Sequence, residues 1–262
     1  MDGTKLTLAQ RVNAVLRAKQ YLVFFAIGLY ALDFAVPLAC GWLYRHEPVA
    51  KLLDDPRGPL AYAVAARSAV IAALFVAYLL VGMALRAGYI RSLVGHFHLG
   101  PASRRQFLRL VVLGLALEVV GALAAGAIVL AGNDLAPASL VVLGQLAIYL
   151  AVLYADYIIV IADVGPLRAV ALSWRTVRVT LIPSALIFLA TTVIVYYAAG
   201  LLDQNVTGSL ALAAPMMLVQ CMLMGGVSFV VDVVLVVLYL DAVEKGRLKP
   251  QPRSAGDGRM LS

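Results

Sequence analysis

Residues 108–131 read LRLVVLGLALEVVGALAAGAIVLA. The stretch holds a single acid, Glu118, and a single base, Arg109 near its start. A helix of about 20 apolar residues, rising 1.5 Å per residue, crosses a bilayer core of about 30 Å, so this stretch is long enough to span one. Five other blocks qualify on the same ground: Tyr21–Tyr44, Pro59–Leu85, Ser139–Ala162, Leu181–Leu202 and Leu210–Leu240. The last is long enough to tilt, or to begin as a short helix before Pro215. Strand-like alternation with regular turn spacing is missing, so a barrel is not expected. The expected fold class is all-α, a polytopic membrane bundle of six transmembrane helices with interfacial amphipathic elbow helices.

Composition points the same way. Of 262 residues, 63% are hydrophobic and 13% charged, against about 45–50% and about 25% in soluble domains. The net charge of +7 invites a nucleic-acid reading, but the Lys and Arg residues cluster in the gaps between apolar blocks, where they act as topology signals. No nucleic-acid partner is expected. Seventeen bases fall before the first block, between the second and third, between the fourth and fifth, and in the tail. The opposite side has three: Arg45, Lys51 and Arg57. The positive-inside bias puts both termini in the cytoplasm of a multi-pass plasma (inner) membrane protein. The first twenty residues do not read as a signal peptide, because a basic segment leads directly into a block of spanning length.

Each pair of blocks follows a basic, partly amphipathic stretch: Lys5–Gln20, Gly88–Phe107 and Leu167–Thr180. A single transmembrane domain over 1–245 would then consist of three elbow-and-hairpin units, 5–85, 88–162 and 165–241, before a disordered cytoplasmic tail, 246–262. In the first elbow Leu8, Val12, Val15 and Leu16 share a face. In the third, Leu167, Val170, Ala171, Trp174 and Val177 do so, bordered by Arg168 and Arg175. Such helices lie at the interface, so Arg168, Trp174, Arg175 and Arg178 are expected to face lipid, with anionic head groups as a partner.

Charges inside a span are costly and usually face the bundle interior. Asp33 and Arg67, at similar depth on neighbouring helices, are expected to form a structural ion pair. Glu118, Asp156 and Asp232 have no evident basic partner and are the polar intramembrane candidates. Each lies on a polar or small-residue stripe: Gly114, Glu118, Gly121 and Ala125; Gln145, Tyr149, Asp156 and Asp163; and Cys221, Gly225, Ser228 and Asp232. Such stripes either pack a bundle or line a polar cavity for a cation, a proton or a lipid head group. Cys40 and Cys221 sit in apolar blocks outside any metal spacing and read as buried thiols, with a disulfide as the alternative. His96 and His98 lack a clustered Cys, Asp or Glu. No nucleophile elbow, P-loop or H-E-x-x-H motif is present. Neither catalytic nor metal residues are assigned, and no cofactor is expected.

One segment carries a resemblance. Ile158–Pro166 closes an apolar span on Asp163, and Gly165, Ala169, Ser173, Trp174 and Arg175 follow as G-x-x-x-A-x-x-x-S-W-R. This resembles the six-span membrane domains attached to some bacterial and archaeal glycerophosphodiester phosphodiesterases, and their free-standing uncharacterised relatives. The clear likeness covers about twenty residues, and Asp163 stands where that pattern has Glu. It implies six helices with interfacial connectors and supplies no catalytic residues. Physically, Gly165-Pro166 stops the span, and Pro166 can start the next helix in its first turn.

The leading expectation is a non-enzymatic envelope protein that binds lipid, a membrane partner protein or a second copy of itself. The alternatives are a small transporter or proton-coupled carrier using the buried acids, and a membrane-embedded lipid-modifying enzyme.

Overall fold

A computed structural model of the chain describes residues 7–32, 69–131, 135–205 and 210–248. In chain order the helices are α1 (Leu8–Ala18), α2 (Leu22–Leu32), α3 (Ala69–Val94), α4 (Arg104–Ala131), α5 (Leu135–Val152), α6 (Ala155–Ala162), α7 (Pro166–Val179), α8 (Leu181–Asn205) and α9 (Leu210–Glu244). No strand occurs among the described residues. Four helical runs are long and apolar enough to cross a membrane, and six if each of two sharply bent pairs counts as one. The fold is that of a helical integral membrane protein. The Asp33–Arg67 pair, Cys40 and most of the tail lie outside the described residues, so the expectations attached to them are not addressed.

Two of the three elbows are helices. The α1 helix starts on a capping box, in which the Thr7 hydroxyl accepts from the Gln10 N–H and the Gln10 side chain accepts from the Thr7 N–H. It meets α2 at 80°. Val12, Val15 and Leu16 pack on the protein core rather than into lipid, and Leu8, the first residue of that face, is exposed. Arg11 reaches Glu244 at 2.6 Å, tying α1 to the end of α9. The third elbow, α7, begins with Gly165 as N-cap and Pro166 in the first turn, and turns 103° into α8.

The second elbow is not a helix. Residues 88–94 simply continue α3, residues 95–103 form a loop, and α4 starts at Arg104. This loop folds back onto α3 at Gly88, where a Cβ would lie 2.5 Å from the Gly100 nitrogen and 2.8 Å from the His98 carbonyl oxygen. Ser92 fastens the approach by donating to the Gly88 carbonyl and accepting from the His98 N–H, each at 2.8 Å. Arg91 donates to the Gly100 carbonyl at 3.0 Å, and Lys19 donates to that of Gly95. A backbone clasp thus replaces the amphipathic helix that the basic residues suggested.

The fourth span, Ser139–Ala162, carries a turn within its length. The chain turns at Leu153 and Tyr154 between α5 and α6, which frees the Tyr154 N–H from its helical acceptor. A buried peptide N–H without a partner is costly. Ser173 of α7 supplies the acceptor at 3.0 Å, and the Tyr154 hydroxyl pairs with Ser184 at 2.7 Å. The core lies around this junction, with Tyr89, Tyr154, Tyr157, Ile158, Val177 and Val233 fully enclosed.

Candidate functional site

Beside the turn, α3, α6 and α9 bring Arg86, Asp156 and Asp232 together. The α3 helix does not stop at Leu85, because Ala87, Tyr89 and Ile90 are fully buried and carry the span to Val94. Arg86 is therefore eight residues inside the span, about 12 Å from its end. It is not one of the topology-setting bases of the gap, and it is the partner that Asp156 and Asp232 were expected to lack.

The guanidinium grips both acids. Its Nη1 and Nη2 donate to the two oxygens of Asp232 at 2.8 and 3.0 Å, the bidentate fork that suits a carboxylate. Nε donates to Asp156 Oδ2 at 3.0 Å. Tyr157 accepts from Nη2 at 3.0 Å and passes its own hydroxyl proton toward Asp232. The rings of Tyr89 and Tyr157 lie 5.5 and 5.2 Å from the guanidinium carbon, within range of a cation–π attraction. Asp156 is fixed from its other oxygen by the Tyr157 N–H at 2.8 Å, and Ser228 donates to Asp232 at 3.3 Å, one turn away on α9. Asp232 is only 4% exposed.

A cavity of about 430 Å³ opens over this cluster. Arg86, Asp156, Ser228 and Asp232 line one end, and leucines from α2, α3 and α4 line the walls. Glu118, Tyr30 and Tyr78 also line it. Gly114 rests on Met83 of α3, and Glu118 stands one turn beyond it, roughly 10 Å from the Arg86 level by helical rise. All three acidic candidates thus converge on one cavity. Two of the stripes run as expected: Gly225 lies against the Ile27 backbone, which lets α9 approach α2, and Cys221 is buried. The α5–α6 stripe does not. Gln145 and Tyr149 bond to each other at 3.2 Å and do not line the cavity that Asp156 lines.

Asp163 lies away from the cavity. It ends α6 in the left-handed region at φ 49°, and Arg109 clamps its carboxylate at 2.6 Å and its carbonyl at 2.7 Å. On α7, Trp174, Arg168, Arg175 and Arg178 are exposed, and Arg178 stacks over Trp174 at 5.0 Å. Leu167 and Ala171 share that outer surface, whereas Ala169, Ser173, Thr176 and Val177 are buried. The face predicted from apolar spacing is therefore split between lipid side and core. In the loop, burial and then the charge of Arg91 push the His98 imidazole below its ordinary value. No group of three His, Cys, Asp or Glu side chains suited to a metal occurs among the described residues.

Arg86 and Tyr157 are the site residues that sequence reasoning missed. The available signal was the apolar run Ala87–Ile90 after Arg86, which extends the span beyond the charge. A search for related proteins found no family, no curated protein and no solved structure that matches this chain.

Proposed function

We propose that this integral membrane protein binds a proton or a small cation in its central cavity and acts as a small carrier. The observation that carries the reading is the charge balance around Arg86. One guanidinium serves two carboxyl groups on separate helices, so the cluster has a formal charge of −1 when both are ionised. An uncompensated charge in a low-dielectric interior is strongly disfavoured. One proton or one cation closes the balance, and the adjoining cavity gives it a way in. Glu118, farther along the same cavity, offers a second station. The bias of basic residues supports a plasma-membrane orientation with both termini cytoplasmic. No catalytic step is assigned.

Purified protein in liposomes containing a pH-sensitive dye tests this. Imposed membrane potentials and sodium or potassium gradients should drive proton or cation movement, and Glu118→Gln or Asp232→Asn should abolish it. Flux equal to that of protein-free liposomes under all three driving forces overturns the reading.

A second reading, a lipid-binding envelope protein, draws support from the exposed Trp174–Arg178 pair on α7, a combination suited to the head-group layer.

A further inference from the structure

The start of α4 presents a second site, separate from the cavity. Arg104, Arg105 and Arg109 line a shallow groove of about 490 Å³ with Leu108 and Val112, and Pro166 of α7 closes its side. Arg109 is held in place by Asp163. Arg104 and Arg105 are exposed and form no ion pair among the described residues. Three cations against one carboxylate leave the groove with a formal charge of +2.

An apolar track leads away from these cations. Leu108, Val112, Leu115, Val119 and Leu123 are 41–69% exposed and recur at i, i+4, i+7, i+11 and i+15, one face of α4. The track is about 22 Å long, enough to follow an acyl chain through one leaflet of about 15 Å. Since α4 is a span, this face meets lipid. A cationic groove at the head of an apolar track matches a molecule with an anionic head and an apolar tail.

We infer that this groove is a binding site for one anionic phospholipid. Arg104 and Arg105 grip the phosphate, Arg109 braces the α4–α7 junction from Asp163, and the acyl chain lies along Leu108 and Val112. Charge complementarity and the continuity of groove with track select this occupant over a soluble anion. The site is independent of the carrier reading, since it shares no residue with the cavity.

The test uses the full chain in phosphatidylcholine nanodiscs, with phosphatidylglycerol titrated in and bound lipid counted by native mass spectrometry. One phosphatidylglycerol should be retained in preference to phosphatidylcholine. The double substitution Arg104→Gln/Arg105→Gln should weaken it roughly thirty-fold, about fivefold for each cation lost. Val112→Asn, which keeps every arginine, should also weaken it, while Arg17→Gln/Arg247→Gln, which removes two exposed cations far from the groove in the chain, should leave it intact. Equal retention of the two lipids overturns the inference. So does displacement by millimolar inorganic phosphate, which would mark a free-anion site, or an equal loss in the Arg17→Gln/Arg247→Gln variant, which would mark diffuse attraction.

Discussion

Replacing Arg86 with methionine should destabilise the protein by about 3–5 kcal/mol, the cost of breaking a buried ion pair by removing one partner. The perturbation keeps an unbranched apolar stem but removes the guanidinium with its charge and donors. It deletes the fork to Asp232, the bond to Asp156 and the bond to Tyr157. Two carboxyl groups then face each other across the space the guanidinium held. With the Arg86 side chain 24% exposed and that of Asp232 5%, solvent screening removes little of the penalty. Neutralising everything at once is different, because an entire buried ionic cluster is often replaced at little cost. The triple variant Arg86→Met/Asp156→Asn/Asp232→Asn should therefore recover most of the loss, leaving a coupling of roughly 2–3 kcal/mol or more. Arg86→Lys should fall between, since an ammonium keeps the charge but not the bidentate geometry. Unfolding of each variant in mixed micelles, followed by tryptophan fluorescence, gives the cycle. A loss below about 1 kcal/mol for Arg86→Met, the range of an exposed surface pair, would refute the reasoning. So would a triple variant no more stable than the single one.

Gly88→Ala should cost about 1–3 kcal/mol as an overpacking substitution, since the new methyl meets the backbone of residues 98–100 rather than a movable side chain. Faster amide exchange at His98–Gly100 should accompany it, and a variant as stable as the parent would dismiss the clasp. Ser173→Ala leaves the Tyr154 N–H without its acceptor, worth about 1–3 kcal/mol for a buried donor. Exchange at the Tyr154 amide should accelerate, and an unchanged rate there would show that another acceptor takes over. Because the folded loop holds the His98 imidazole below its ordinary value, its neutral form is favoured by folding. That contribution is complete above the ordinary value of about 6.5 and is lost as pH falls through the depressed one. Protection over residues 95–103, with the intrinsic pH dependence of amide exchange divided out, should fall on acidification from pH 7.5 to 5.5, and His98→Gln should remove this dependence. A fall of the same size in the variant would assign the effect elsewhere.

Much of the architecture is written into local sequence. Apolar blocks of spanning length force helices, because a backbone inside a bilayer must satisfy its own hydrogen bonds. Gly165-Pro166 begins α7 through local backbone chemistry, and the Thr7–Gln10 box begins α1 through side-chain bonds to the first-turn backbone. The inward faces of α4 and α9 were legible too, since Glu118 and Asp232 sit on unbroken stripes of small and polar residues. What local sequence misjudged has a common cause. Arg86 looked like the edge of a span because charge is expensive in lipid, yet acids supplied by α6 and α9 make its burial tolerable. The basic stretch at 88–107 looked like an amphipathic elbow, yet contact between Gly88 and the loop turns it into a clasp.

By itself, then, the sequence determined the class of protein, the helices and the three acids worth watching, because each follows from hydropathy or from spacing along one helix. The tertiary structure alone decided which groups meet. Arg86 lies 70 residues from Asp156 and 146 from Asp232, and no periodicity along the chain encodes such a pairing. Likewise, the turn at Tyr154 exists because Ser173, nineteen residues later, accepts the N–H that the helix gives up. Two residues after that turn, Asp156 meets Arg86 and completes the cluster on which the proposed function rests.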